Sequence, residues 1–285
     1  MSTRDQVELA GAEVPAKTAG EKITFSFGRN WQEYVERCLD PGRVRIAEES
    51  LVRFLEQPDL KGLSFLDIGC GSGLFSLAAL RLGARRVVSV DVDPFSVEST
   101  QMVRQAAGAP EHWSVLHGSI LDEGFVSRLE VADLVYAWGS LHHTGNMWKA
   151  ISLAGSRVAP GGRFFLAIYN KTEGRRGSEY WLKVKQRYNR ASRAGKRLME
   201  VSYAIRHSIL PYLIRFQNPV AHWRSYHQNR GMDVWTDIRD WLGGYPYEFA
   251  RADEIFRFCS RELNLPLQNL NVCNNLGLNE FLFRR

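Results

Sequence analysis

Four short apolar runs, LSFLDIG, RRVVSVDVD, ADLVYAW and GGRFFLAIYN, lie between residues 63 and 170 and alternate with segments of helical periodicity. A continuous run of branched and aromatic residues bounded by turn signals reads as a strand buried on both faces, the habit of parallel sheets. Helical patterns fill the gaps at residues 74–82, 94–107 and 147–158. In the first, Leu74, Leu77, Leu80 and Leu82 make one apolar face, and Gly83 is placed to stop it. Strands alternating with helices predict an open α/β sheet with helices on both faces.

The flanks extend this plan. Residues 30–55 read as helices packed outside the sheet. At the other end LQNLNVC and GLNEFLFRR, joined by NNL, read as a closing antiparallel pair. Roughly a hundred residues of mostly helical pattern separate that pair from the fourth run, and they read as an inserted lid. The expected organisation is a flexible tail over 1–22 and one domain over 23–285. Within the domain, 23–60 form a helical cap, 61–170 a cofactor-binding core, 171–262 the helical insert and 263–285 the closing strands.

Charge is unevenly distributed. The chain carries a net +6, yet residues 171–230 hold 14 Lys/Arg against 3 Asp/Glu, a local +11 that leaves the rest acidic. This disfavours a nucleic-acid surface over the whole body and points to a local basic one. No apolar run is long enough for a membrane span, and the first 22 residues lack the apolar core of a signal peptide. Cys38, Cys70, Cys259 and Cys273 show no paired spacing, so a reduced cytoplasmic setting is expected.

The first run leads into the loop LDIGCGSG. Gly69, Gly71 and Gly73 permit a tight strand-to-helix turn and a close approach of ligand to backbone. Position 74 is leucine where a dinucleotide fingerprint requires glycine, and no phosphate-binding Gly-Lys-Ser/Thr follows. NAD and ATP are therefore disfavoured. Asp91, at the end of the second run, occupies the strand-end position where nucleoside-binding folds hold both ribose hydroxyls. Asp93, before Pro94, reads as a helix cap.

The ordered set FLDIGCGSG, VSVDVDP, HGSILD, ADLVYAWGSLHH and VAPGGRFFLAIYN resembles the class I S-adenosylmethionine-dependent methyltransferases. The resemblance covers residues 63–170 and the final strand pair. It implies a Rossmann-like, mostly parallel sheet of seven strands with the last one reversed, and S-adenosyl-L-methionine as cofactor. It further implies that the loop from Gly69 through Cys70 and Gly71 to Gly73 contacts the methionine part, with Asp67 near its amino group. Asp91 would hold the ribose beside Val92, Ser119 and Ile120 would border the adenine, and Trp138 would lie beside the cofactor. Within the superfamily the chain is most similar to the polyprenyl-benzoquinol O-methyltransferase group. That group often carries a Glu-His pair after the fourth strand; His142 takes the Glu position and His143 matches the His. Acidic residues thought to hold a metal in the quinol enzymes are replaced here by Trp138 and Gly139, so no metal is expected.

His143 has three readings: general base for a hydroxyl acceptor, metal ligand, or a ring bonded to loop backbone. Phe27, Arg29 and Trp31, in FSFGRNWQEYV, could fold over the cofactor, or Trp31 could belong to the buried stripe of a helix. In the insert, Trp181, Val184 and Tyr188 oppose Lys183, Lys185, Arg187 and Arg190, giving a basic amphipathic helix. Such a face suits an anionic membrane, an RNA, a pocket for an acidic substrate, or plain solvent. Tyr245 and Tyr247, in GGYPY, are expected at the crevice mouth as substrate contacts beside His142. The function expected is O-methylation of a small molecule, phenolic, glycosidic or lipid-linked. RNA base methylation and a non-catalytic cofactor-binding partner remain as alternatives.

Overall fold

The computed structural model describes residues 41–215 and 234–285, together with Gly28 and Asn218. Seven strands form one sheet: β1 (Ser64–Ile68), β2 (Arg86–Asp91), β3 (Trp113–His117), β4 (Ala132–Trp138), β5 (Val158–Tyr169), β6 (Leu267–Asn271) and β7 (Leu278–Arg284). Their spatial order is β3-β2-β1-β4-β5-β7-β6. Strands β1 to β5 pair in parallel, and β7 runs antiparallel to both β5 and β6. The sheet is thus mostly parallel with one strand reversed, as expected.

Alternate side chains divide between two faces. On one, α1 (Pro41–Leu55) and α2 (Leu74–Arg81) cover Phe65, Leu134, Tyr136, Phe165 and Leu282. On the other, α5 (Met147–Gly155) covers Leu66, Ile68, Val135, Ala137 and Phe164. Both layers are built of apolar side chains, which is why the central strands read as unbroken apolar runs. Helix α3 (Pro94–Ala106) begins as expected, with Asp93 accepting from the Phe95 N–H at 3.0 Å. Between them α4 (Glu123–Arg128) is capped by Asp122.

Two elements depart from the sequence reading. Strand β3 was absent from the apolar runs because it lies at the sheet edge, where Trp113 is buried but Ser114 and His117 are exposed. Helix α5 stops at Gly155 rather than 158, because Val158 already pairs with Ala132 and opens β5.

After β5 the chain enters the insert. Helices α6 (Ser178–Arg190), α7 (Arg193–Ala204) and α9 (Val234–Gly243) bury a cluster with the return segment around Trp181, Tyr188, Ala204, Ile238, Leu242 and Tyr247, while the short α8 (Leu210–Ile214) buries no residue. The return segment then rejoins the sheet end, Ala250 N–H donating to Tyr169 O at 3.0 Å, before α10 (Ala252–Arg257). Among the described residues no helix is long and apolar enough to cross a membrane.

Candidate active site

The carboxyl ends of β1, β2, β4 and β5 open on the same edge of the sheet, where an α/β fold places its ligands. At the end of β1, Gly69, Gly71 and Gly73 all take positive φ (78°, 54° and 76°), a backbone that L side chains rarely adopt. Gly69 has a second reason to be glycine. A Cβ there would stand 2.3 Å from Ser140 Cβ, because Ser140 leans in to donate to Ile68 O at 2.7 Å. The loops after β1 and β4 are therefore in direct contact. Cys70 is buried between them and Thr100, and burial pushes its thiol well up.

Asp91 braces the loop. One carboxylate oxygen accepts from Gly71 N–H at 3.0 Å and the other from Asp93 N–H at 2.9 Å. Burial raises its pKa above the ordinary carboxylate value, against the pull of the Asp93, Gly71 and Val92 N–H groups. Next to it, the Val92 side chain is exposed while its carbonyl bonds the His117 ring at 3.0 Å. Ser119 accepts from Leu121 N–H at 3.2 Å, and Ile120 packs in the sheet core at 8% exposure. Trp138 is half exposed at the end of β4 and donates to Glu280 at 2.7 Å.

Asp67 lies close enough to Asp91 and Cys70 to act on both. It is 2% exposed and accepts from Ser76 Oγ at 2.6 Å; Ser76 bonds Ser89 at 2.6 Å, and Trp113 Nε1 donates to Ser89 at 2.8 Å. Burial pushes its carboxyl up to about 7. Phe27, Arg29 and Trp31 lie outside the described residues. Gly28 between them donates to Asp93 at 2.9 Å, next to Asp91.

The two histidines follow β4 in a 3₁₀ turn, Leu141–His143. His143 Nδ1 donates to Pro246 O at 2.6 Å. The ring's lone pair is then on Nε2, and burial carries its pKa down to about 4. His142 is fully buried, and neither ring nitrogen has a hydrogen-bond partner among the described residues. Burial first, and then His143 and Lys185, hold it well below the ordinary histidine value. Its ring lies 4.4 Å from His143 and 4.2 Å from Tyr169. No group of three His, Cys, Asp or Glu stands together among the described residues.

The return segment closes over this turn. Glu248 N–H donates to His142 O at 2.9 Å, while the Glu248 carboxylate takes the Met147 N–H at 3.1 Å. Tyr247, expected at the mouth, is instead 2% exposed and 5.2 Å from Tyr169, so it lines the closed interior; Tyr245 is half-buried. Burial pushes the Tyr247 hydroxyl up to about 12, moderated by Ser178 beside it.

Lys185 is the largest departure. Expected on the solvent-facing basic stripe, it is 1% exposed. Its Nζ donates to Trp241 O and stands 4.2 Å from the Trp241 ring centre and 4.8 Å from that of Tyr247. Burial lowers its pKa to about 7, with Asp240 opposing. The signal was present: 181, 185 and 188 share the i, i+4, i+7 stripe that holds Trp181 and Tyr188. Tyr169, Trp241, Glu248 and Ser140 were also missed. Of these only Tyr169, an aromatic at a strand's carboxyl end, carried a local signal.

A family model described as ribosomal protein L11 methyltransferase matches residues 49–137. The chain is 33% identical over 84 residues to the ribosomal protein L11 methyltransferase of Tolumonas auensis, covering 30% of this chain and 29% of that protein. It is 36% identical over 113 residues to a ubiquinone biosynthesis O-methyltransferase of Methylobacterium sp. (strain 4-46), covering 40% and 43%. The chain thus spans less than half the length of these two relatives. Magnesium protoporphyrin IX methyltransferase from Synechocystis PCC 6803, solved with bound S-adenosylhomocysteine, is 13% identical with a TM-score of 0.52 over 90% of this chain and 93% of that one. An O-methyltransferase family protein from Burkholderia thailandensis gives 13% and 0.52 over 85% and 57%; both likenesses are of fold. The family model over residues 49–137 and the fold likeness over most of the chain agree: that stretch is similar to the ribosomal protein L11 methyltransferase family, and the chain has the fold of S-adenosylmethionine-dependent methyltransferases.

Proposed function

We propose that this chain transfers a methyl group from S-adenosyl-L-methionine to an oxygen of a small molecule held under the lid, a phenolic, glycosidic or lipid-linked acceptor, with His143 taking the proton. The observation that carries the reading is the closure of residues 246–248 over residues 142–147. It packs both histidines against Tyr169 under the return segment, away from any open surface a polymer chain could lie on.

The core fits the cofactor. The glycine loop turns at positive φ beside Asp91, whose carboxylate accepts from the Gly71, Asp93 and Val92 N–H groups and keeps acceptor capacity for the ribose. Ser119 and Ile120 would border the adenine. The bound cofactor supplies a methyl group on a sulfonium. The chain's own part is to align the acceptor, exclude water and receive a proton. His143 is suited to the last, since its Nδ1 bond fixes the ring and burial keeps it neutral at pH 7.

A second reading, methylation of a protein, is favoured by the family-model match. That match ends at Ala137, before every residue of the lid pocket, so it bears on the cofactor half alone. Labelled-methyl transfer to small-molecule fractions, to ribosomal protein L11 and to RNA separates the readings. The expected result is label in the small-molecule fraction, lost in His143→Ala while S-adenosylhomocysteine binding persists. Label confined to protein moves the conclusion to the second reading, label confined to RNA moves it to RNA methylation, and no label anywhere removes catalysis.

A further inference from the structure

Around Lys185, donors and rings from five different parts of the chain meet. Lys185 comes from α6, Trp241 from α9, Tyr247 from the return segment, and Tyr169 and His142 from the ends of β5 and β4. The rings are contiguous: Tyr169 stands 6.3 Å from Trp241 and 5.2 Å from Tyr247, and 4.2 Å from His142. Yet the polar atoms at this end are poorly matched. Trp241 Nε1 and both nitrogens of His142 have no hydrogen-bond partner among the described residues. The Lys185 ammonium has one carbonyl, Trp241 O, and two ring faces.

Leaving buried donors unmatched is costly, and folds avoid it unless a function needs it. A structural lysine would reach solvent with its tip; this one is fully enclosed. Trp241 Nε1 and one nitrogen of the neutral His142 ring can donate, and Lys185, held by a single carbonyl, can carry positive charge. The complement of such a set is an oxygen anion on a flat, apolar body that slides between rings.

We propose that Lys185, Trp241 Nε1 and His142 form the recognition end of the acceptor pocket, built for a small aromatic acid whose oxyanion, a carboxylate or an ionised phenol, meets the buried donors. This rests on the reading above that the lid pocket holds the acceptor, and it names the acceptor's class. The charged and titratable groups facing Lys185 are Asp240 on its own neighbour α9, His142 and His143 after β4, Tyr169 on β5 and Tyr247 on the return segment. Only Asp240 among them is negative at neutral pH, so the oxyanion gains more than it loses from its surroundings. Because burial holds the lysine near neutrality, an arriving anion draws a proton onto it.

The probes are benzoate and salicylate, with benzamide as the uncharged match, titrated calorimetrically into the full chain saturated with S-adenosylhomocysteine. Benzoate or salicylate should bind at least tenfold more tightly than benzamide. At pH 8 their binding should take up a proton, read from the dependence of heat on buffer ionisation enthalpy. Lys185→Met, close in shape and without charge, should weaken the acids on the order of ten- to a hundredfold and abolish proton uptake. S-Adenosylhomocysteine affinity should stay unchanged, because Asp91 and the glycine loop lie elsewhere. The same variant should melt higher than wild type, since a buried charge is removed; this also verifies that it folds. Equal binding of benzamide and benzoate, or full acid affinity in Lys185→Met, overturns the proposal. Methyl transfer to neutral phenols without acid selectivity overturns this subsite and leaves O-methylation standing. Acid binding without transfer to any small molecule supports the subsite and overturns the assigned reaction.

Discussion

The carboxylate of Glu248 receives the backbone N–H of Met147 at 3.1 Å, across 101 residues of sequence. Helix α5 needs this contact, because its own N-cap residue, Asn146, makes no side-chain bond to the first turn. An acid from the lid's return segment therefore caps the helix that follows the two histidines, and its charge meets the positive end of the helix dipole. With Pro246 on His143 and Glu248 N–H on His142 O, the return segment and the start of α5 are held by the same contacts.

Glu248→Ala should cost about 0.5–2 kcal/mol of stability, the usual range for a lost cap. Glu248→Gln should recover much of it. Acceptor KM should rise in Glu248→Ala while S-adenosylhomocysteine affinity stays constant, since the cap lies on the acceptor side. Denaturation curves and calorimetry check both halves; an unchanged midpoint would remove the capping role.

Asp91→Ala should weaken S-adenosylhomocysteine on the order of 2–4 kcal/mol, because charge-assisted bonds are lost and the Gly71 and Asp93 N–H groups lose their acceptor. Asp91→Asn should fall between, keeping an acceptor oxygen. Titration in a variant of unchanged melting temperature decides it, and wild-type affinity would take the ribose away from Asp91.

The pH profile follows from burial of the histidines. His143 is displaced from 6.5 down to about 4. The folded state therefore resists protonation, and stability should fall as pH drops from about 6.5 towards 4, where the unfolded chain takes up protons first. The base form persists throughout neutral pH, so methyl-transfer rate should be flat from pH 6 to 8 and decline only towards 4. His143→Gln should lose both the rate and the part of the acid destabilisation due to this ring. A rate limb near 6.5 in the wild type would mean that the histidine is solvated during turnover.

The central strands were legible in the sequence because they are buried on both faces, which leaves no polar alternation to confuse the run. Strand β3 was not, because an edge strand needs only Trp113 inside. The glycine loop and Asp91 were legible because backbone geometry restricts residue type there. The lid pocket was not, because its chemistry depends on meetings far apart in sequence: Glu248 with Met147, Pro246 with His143, Lys185 with Trp241. Lys185 also defeats a rule that assigns lysine to the wet side of a helix, though its place in the Trp181–Tyr188 stripe marked it as buried. The polar chain behind Asp67 was not legible, because Ser76, which donates to it, and Ser89, which bonds Ser76, sit in two apolar elements.

That chain gives a further stability prediction. Asp67 sits 2% exposed with Ser76 donating to it at 2.6 Å, and Ser89 and Trp113 continue the line behind. Burial raises its carboxyl from 3.8 to about 7, and Ser76 restrains the rise. A raised acid favours the folded state at low pH, so this group's contribution is full below about 3.8 and is lost as pH climbs through 7. In Ser76→Ala the carboxyl loses its donor and its pKa climbs further. At pH 5 Asp67 is protonated in the folded state of either protein, and the variant loses only a neutral hydrogen bond. At pH 8 the wild type holds an ionised carboxylate against a donor, whereas the variant must bury that charge without it or keep the proton. Ser76→Ala should therefore be destabilised by roughly 1–3 kcal/mol at pH 8 and by clearly less at pH 5. Urea denaturation at the two pH values reads the difference directly. A deficit that is equal at both, or larger at pH 5, would mean that Asp67 is not ionised behind Ser76 and that the serine matters only for packing.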